Sequence, residues 1–139
     1  MKTQNNFLKN LSKVVLVLSV LFISSCGSDD DGTPAEEFVT LPAQVLTSYT
    51  GNLVYTPSDG SGPIINTSGT ATVAVSGNTY TISFSDGVPS ISGLVFLAGS
   101  GNNFVSASAG QSTTGISVED GDLAVGATNN GNTWAFSTN

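Results

Sequence analysis

The sequence predicts a small all-β domain whose strands run up and down in turn and close into a barrel. From Ser48 onward, apolar and polar residues alternate with a period of two, which is typical of strands with one buried face. Glycine, asparagine and aspartate interrupt this alternation at short intervals and predict tight turns. The pairs Gly77-Asn78, Asp120-Gly121 and Asn130-Gly131 have the composition of two-residue hairpin turns.

The segment before the domain has the features of a bacterial export signal. Residues 1–25 contain all 3 basic residues of the chain and no acid, and they include the apolar run from Val14 to Ile23. A helix over that run is only about 15 Å long, whereas the hydrocarbon core of a bilayer is about 30 Å thick. We therefore expect residues 1–25 to be a cleaved signal peptide and not a membrane span.

The run Ile23-Ser24-Ser25-Cys26 resembles the lipobox of bacterial lipoprotein precursors. A thiolate is the strong nucleophile that takes a diacylglyceryl group, and small residues let the backbone enter a peptidase. The resemblance implies that Cys26 carries a covalent lipid, and two or more acyl chains such as palmitate would hold the mature protein on a membrane. The alternative is an unpaired thiol in an exported protein, which would be open to oxidation.

Residues 26–40 are predicted to be an acidic tether between the lipid and the domain. The residues Ser28, Asp29, Asp30 and Asp31 resemble the Cys-proximal export signal of Bacteroidota surface lipoproteins. That resemblance implies an outer-membrane lipoprotein facing the cell exterior. The alternative is a charged, extended spacer without a signalling role.

The mature chain has an unusual charge. Every basic residue precedes Cys26 and all 10 acids follow it, so the formal side-chain charge after cleavage is −10. A surface without cations cannot release counterions from a phosphate backbone, which excludes nucleic acid as a partner. Anionic lipid headgroups are repelled as well, so the expected membrane contact is the anchor alone.

Two short helical turns are predicted before the first strand. Thr33-Pro34-Ala35-Glu36 has the residues of a capping box, and Pro42 stands where a turn over residues 42–46 would begin. Neither run is long enough to form a stable helix alone, so we expect the second to dock on the domain.

Eight strands are predicted after these turns. They are Tyr49–Thr56, Gly69–Ser76, Thr79–Ser85, Ile91–Ala98, Asn103–Ser108, Gly115–Glu119, Asp122–Ala127 and Thr133–Ser137. The two-residue turns set the register of three hairpins and place apolar residues together on one face. The predicted opposite pairs are Ser76–Thr79, Val75–Tyr80, Val73–Ile82, Ala71–Phe84, Glu119–Asp122, Val118–Leu123, Ala127–Trp134 and Val125–Phe136.

An even number of antiparallel strands places the first and last strands antiparallel to each other, so they can pair and close a barrel. The helical turn, the Tyr49-Thr50-Gly51 start of the first strand and the eight-stranded meander together resemble the lipocalin-like, or calycin, β-barrels. This resemblance implies a barrel domain over residues 41–139. A two-sheet β-sandwich is the alternative. The predicted interior, with little or no cavity, consists of Tyr49, Leu53, Tyr55, Tyr80, Ile82, Phe84, Phe104, Trp134 and Phe136.

The composition argues against an enzyme. The mature chain has no His, Lys or Arg, and its one Cys is the lipid attachment site, so an ordinary general base, a Cys nucleophile and a guanidinium clamp are all missing. Glu119 and Asp122 face each other on the polar side of a hairpin, where a calcium ion could relieve their repulsion. Solvent screening is the simpler explanation, so no cofactor is expected.

One predicted hairpin is apolar on both faces. With Ser100-Gly101 as its turn, Ile91, Val95, Leu97 and Phe104 face the interior, and Leu94, Phe96 and Val105 face outward. These three outward residues form the predicted partner face. In the alternative, Phe38, Val39 and Leu41 of the preceding segment fold back and cover them.

We therefore expect a lipid-anchored, noncatalytic module that presents a face to a protein, glycan or ligand at the cell surface. A carrier of a small hydrophobic ligand is the second hypothesis and an enzyme the third. A large cavity would favour the carrier, grouped exposed aromatics would favour glycan binding, and an exposed aliphatic patch would favour a protein partner. The oligomeric state is left open.

Overall fold

The structure is a computed structural model that describes residues 37–106 and 112–139. The signal peptide, Cys26, the run Ser28–Asp31 and the first predicted helical turn lie outside these residues. Within them, no helix has the length and apolar character needed to cross a membrane.

Ten strands form one antiparallel sheet. Their bounds are β1 Phe38–Val39, β2 Ser48–Thr56, β3 Ile64–Ser76, β4 Thr79–Phe84, β5 Ile91–Leu94, β6 Phe96–Ala98, β7 Asn103–Ser106, β8 Ser112–Glu119, β9 Asp122–Asn129 and β10 Asn132–Thr138. A 3₁₀ turn over Ala43–Val45 precedes β2, as the position of Pro42 predicts.

The single antiparallel sheet curls into a barrel-like shape. Strand β2 pairs with β10, so the first and last strands of the meander are neighbours, as predicted. Strands β5 and β6 are separated only by Val95, yet β5 pairs with β4 and β6 pairs with β7 towards opposite ends of the strand order. One residue can join them only if the two ends of the sheet come together. The rings of Tyr80 on β4 and Phe96 on β6 accordingly lie 5.7 Å apart across this junction.

All eight predicted opposite pairs are confirmed, from Ser76–Thr79 to Val125–Phe136. Two-residue turns leave no freedom in the pairing, so the hydrophobic pattern and the turn residues agree on one register. The described residues form a single sheet, which confirms the barrel over the sandwich.

Several strand bounds differ from the prediction. Strand β3 begins at Ile64 and not at Gly69, β8 begins at Ser112 and not at Gly115, and the predicted fourth strand is interrupted at Val95. Phe38 and Val39 form β1, so the sheet extends into the segment predicted as tether. Strands β3 and β8 are longer than predicted because their backbones pair with neighbouring strands. At the predicted starts of these two strands and just before them, glycine and hydroxyl residues interrupt the alternation of apolar and polar side chains.

The barrel interior holds the predicted residues. Tyr49, Leu53, Tyr55, Tyr80, Ile82, Trp134 and Phe136 are buried, and Phe84 and Phe104 pack against them. The interior also takes in residues outside the predicted set, which include Val45, Val73, Val88, Leu94, Phe96, Ile116 and Val125. The result is a core that contacts every strand of the meander.

Chain segments cover both ends of this core. At the lower end, where β2 begins, the 3₁₀ turn buries Val45, and the backbone N–H of Leu41 donates to the Tyr80 hydroxyl at 3.0 Å. At the upper end, the loop after β4 buries Val88, and the indole N–H of Trp134 donates to the Pro89 carbonyl at 2.9 Å. Each end is therefore tied to the wall by a hydrogen bond from or to a buried aromatic side chain.

Replacement of Tyr49 by phenylalanine tests how the lower end is held. The Tyr49 hydroxyl donates to the carbonyls of Gln44 and Val45 at 3.1 and 3.3 Å, so Tyr49→Phe is expected to lower the free energy of unfolding by about 1 kcal/mol at neutral pH. Urea denaturation measures this loss. Tyr55→Phe, which removes a hydroxyl at the opposite end, is the matched variant.

The pH dependence of stability gives a second readout for the same variant. Burial raises the pKa of Tyr49 above 10.0, its value in the unfolded chain, because the ionised form is poorly solvated. The folded protein thus keeps this proton where the unfolded chain releases it, and stability falls as pH rises above about 10. Tyr49→Phe is expected to make that fall shallower, and an unchanged slope would contradict the assignment.

Candidate functional site

The predicted partner face does not form. Phe96 is 0% exposed and Leu94 is 3% exposed, so both belong to the core, while Val95 and Leu97 are only half-buried. Only Val105, also half-buried, is on the outer face, opposite Leu97. The prediction was right about Ile91 and Phe104 and wrong about which residues between them face inward.

A loop one residue longer than predicted explains the error. Ala98 lies opposite Phe104, and the Gly99 N–H donates to the Asn103 carbonyl at 2.8 Å, so Ser100, Gly101 and Asn102 form a three-residue loop. A register shift of one residue moves every side chain to the other face. Gly101, with φ of 67°, is the signal that could have predicted this loop type.

A second irregularity, between β4 and β5, explains why Ile91 still faces the core although Leu94 and Phe96 face the opposite way from the prediction. Gly93 has φ of 72°, and the register between β4 and β5 shifts between the pairs Tyr80–Leu94 and Ile82–Ile91. The extra residue lets Ile91 and Leu94 both point into the core. Sequence alternation alone cannot locate such a bulge.

The alternative prediction, in which Phe38, Val39 and Leu41 fold over the outer face, is also wrong. Phe38 and Val39 pair with the edge of β6, with Phe38 opposite Leu97 and Val39 opposite Phe96. Phe38 stays 58% exposed, whereas Leu41 enters the core. The segment therefore extends the sheet beside β6 and does not lie over its outer face.

The most exposed aliphatic side chain among the described residues, Ile65, lies elsewhere, at the start of β3. Ile65 is 64% exposed, Ile64 is 37% exposed, and Ile65 lies opposite the half-buried Val54 on the outer face. Sequence reasoning missed this site because residues 57–68 were assigned to a connection. Adjacent isoleucines after Pro63 were the available signal, since β-branched residues favour strands.

One edge of this stretch has no strand beside it. Strand β3 pairs with β2 along its upper half, but its pairing with β4 covers only Ala71 to Ser76. Ser85 still contacts Thr70 through two hydrogen bonds, and the chain then leaves at Asp86, which has φ of 60°. On that side, Ile64 to Gly69 face no strand among the described residues. We call this stretch the open edge.

The open edge carries a carboxylate at its lower end. Asp86 accepts hydrogen bonds from the Ser85 hydroxyl at 2.6 Å and from the Asn66 amide at 2.7 Å. Both bonds, the first more strongly, hold the pKa of this exposed carboxyl below its usual value. The group is therefore ionised at neutral pH and has no basic side chain among the described residues to pair with.

The weak candidate for a calcium site is the pair Glu119 and Asp122. Glu119 and Asp122 lie opposite each other and are both exposed. In residues 37–106 and 112–139, no group of three or more His, Cys, Asp or Glu side chains comes together. Calcium takes six to eight oxygen ligands, of which these two side chains supply only a part.

The fold defines the class of this protein as an all-β, barrel-like antiparallel sheet, in which the start of β3 is paired on one side only among the described residues. No family model matches the chain, and searches of curated proteins and of solved structures return no match. Inferences about function therefore rest on the residues and geometry given above.

Proposed function

We propose that this protein is a lipid-anchored, noncatalytic accessory module that binds a protein partner at the outer surface of the outer membrane. The lipid on Cys26 supplies the anchor, and Ser28 to Asp31 direct the chain to the exterior. The barrel presents the open edge of β3. The observation that carries the proposal is Ile65, which is 64% exposed on the outer face beside that edge.

An aliphatic contact surface favours a protein partner over a glycan. Sugar rings pack on exposed aromatic faces, but Tyr49, Tyr55, Tyr80 and Trp134 are all buried. Phe38 is the one strongly exposed aromatic residue in the described part of the chain. A single ring does not make a platform, whereas Ile65 and Val54 lie opposite each other and make an aliphatic contact on the outer face.

The interior favours this proposal over a carrier of hydrophobic ligands. Large side chains from every strand of the meander fill the core, and Val45 and Val88 close its lower and upper ends. The Tyr80 and Trp134 hydrogen bonds hold in place the segments that cover these two ends. The chain after Cys26 has no His, Lys or Arg, so an ordinary general base is missing, and this composition supports a noncatalytic role.

Site-specific photo-crosslinking on intact cells tests the proposal. A benzophenone amino acid at position 65 is expected to yield a discrete adduct with a surface protein, because the side chain lies on the contact surface. The same probe at Val75 is the matched control, since Val75 is 57% exposed on the same strand but lies where β3 pairs with β4. Equal adducts at both positions, or none at either, would contradict the proposal.

A further inference from the structure

We infer that the partner binds by adding an extended segment to the open edge of β3 as a further strand, with a basic residue of that segment against Asp86. This inference rests on the proposed function and specifies how the partner is held. An added strand gains backbone hydrogen bonds along the edge, and its side chains contact alternate positions of β3.

The path of the chain after β4 creates the room for an added strand. Strand β4 ends at Phe84, and the next residues turn across the top of the barrel, where Val88 is buried and Pro89 accepts the Trp134 hydrogen bond. Because of these contacts, the chain after Phe84 does not continue beside β3 as an extension of β4. The upper half of β3 is thereby left with one paired side and one open side.

The pairing of β2 with β3 is irregular next to Gly51 and Gly69, at the lower end of this upper half. The two glycines lie opposite each other, and a Cβ on Gly51 would overlap the Ser137 carbonyl while one on Gly69 would lie 2.6 Å from the Leu53 Cβ. The register between β2 and β3 shifts directly beyond them. A bulge of this kind increases the local twist of the strand.

The side chains from Ile64 to Asn66, which precede the bulge, do not themselves block strand addition. Exported sheets protect their edges with charged side chains, prolines or covering loops. Residues 64–69 contain no charge and no proline, and Ile64, Ile65, Thr67 and Ser68 are exposed. The Asn66 side chain accepts the Ser68 N–H at 2.8 Å, and the Thr67 carbonyl accepts the Asn139 side-chain amide at 3.4 Å, so Ile64, Ile65 and Asn66 are the residues left for pairing.

Charge specifies the partner further. The Asp86 carboxylate stands beside Asn66 at the lower end of this stretch and is ionised, so a lysine or arginine on the added strand would pair with it. A second copy of this chain cannot supply that residue, because no basic residue follows Cys26. The occupant is therefore an extended, basic segment of a different protein.

Synthetic peptides test this mode with the full-length lipidated protein in nanodiscs. The probe is a fluorescein-labelled hexapeptide of sequence Lys-Val-Thr-Val-Thr-Val, whose binding is followed by fluorescence anisotropy. We expect saturable binding below about 1 mM. Two isomers, N-methylated at residues 2 and 4 or at residues 3 and 5, are compared with it. Because alternate N–H groups of a strand point to opposite sides, only one isomer is expected to lose binding.

Three variants locate the peptide on the protein. Ile65→Thr is expected to weaken binding about fivefold through the lost cross-strand contact, whereas Val75→Thr is expected to leave it unchanged. Asp86→Asn is expected to remove the preference for the Lys peptide over the same peptide with Glu at its first position. Thermal unfolding of each variant, with an unchanged midpoint, confirms that the fold is retained.

The outcomes separate this inference from the proposed function. Equal behaviour of the two N-methyl isomers, no binding of the parent peptide, or an unchanged affinity in Ile65→Thr would each overturn strand addition. A position-specific adduct from residue 65 would then still support a protein partner held in another way. Loss of that adduct together with loss of peptide binding would overturn both.

Discussion

Replacement of Phe96 by serine is expected to unfold most of the barrel. Phe96 is 0% exposed and packs with Tyr80 where the two ends of the sheet meet, so its loss removes core contacts and leaves a hydroxyl in an apolar cavity. Truncation of a buried Phe costs roughly 3–5 kcal/mol. That loss is comparable to the whole stability of many small domains, about 5 kcal/mol at the low end. Urea denaturation followed by tryptophan fluorescence measures it through Trp134.

The neighbouring position provides the matched control. Leu97 is half-buried on the outer face opposite Val105, so Leu97→Ser is expected to cost under about 1 kcal/mol. The comparison reports directly on the register of β6 and β7. A larger loss for Leu97→Ser than for Phe96→Ser would mean that the register predicted from the two-residue turn is the correct one.

Replacement of Cys26 by alanine is expected to abolish lipid attachment and membrane retention. The substitution removes the thiol to which the diacylglyceryl group is proposed to be joined, and no other Cys exists in the chain. Without acyl chains, the acidic mature protein has no other expected hold on an anionic membrane. Incorporation of labelled palmitate and fractionation of cells measure the two effects.

Ser25→Ala is the control for Cys26→Ala, because alanine is also small and leaves the thiol in place. Wild-type palmitate labelling of the Cys26→Ala protein would refute the anchor. The facing of the anchored protein is tested by proteinase K on intact cells, since the mature chain contains no Lys or Arg for trypsin. Complete protection until lysis would mean that Ser28 to Asp31 act only as a spacer.

The hairpins with two-residue turns were predictable in detail because local chemistry decides them. Gly77 and Gly131 have φ of 61° and 81°, and Asp120 and Asn130 have φ of 53° and 48°, as primed turns require. Such turns allow one register, and alternation then assigns each side chain to a face. Val73 opposite Ile82 and Val125 opposite Phe136 follow from the sequence without any knowledge of the rest of the barrel.

The connection between β6 and β7 was not predictable in the same way. Ser100-Gly101 fits a two-residue turn by composition, but the Asn103 amide donates to the Ser100 carbonyl at 2.6 Å and stabilises the longer loop. The wrong turn placed Phe96 outside and Leu97 inside. Burial favours the observed register of β6 and β7, because it places Phe96 in the core in place of the smaller Leu97.

The open edge of β3 could be found only in three dimensions. The two isoleucines are visible in the sequence, but nothing local says that β4 stops short of them. The end of β4 depends on the burial of Val88 and on the hydrogen bond from Trp134 to Pro89 in the following loop. These contacts join residues that are far apart along the chain.

By itself, the sequence determined the strand meander, the three tight hairpins, most of the core and the −10 side-chain charge of residues 26–139, since each depends on residue type and short spacing. The tertiary structure alone decided the broken fourth strand, the inward direction of Leu94 and Phe96, the insertion of β1 beside β6 and the unpaired half of β3. The physical reason is closure: a barrel must bring its last strands against its first. Bulges, edge pairing and loop contacts are then selected by how well the whole core packs and not by any local preference.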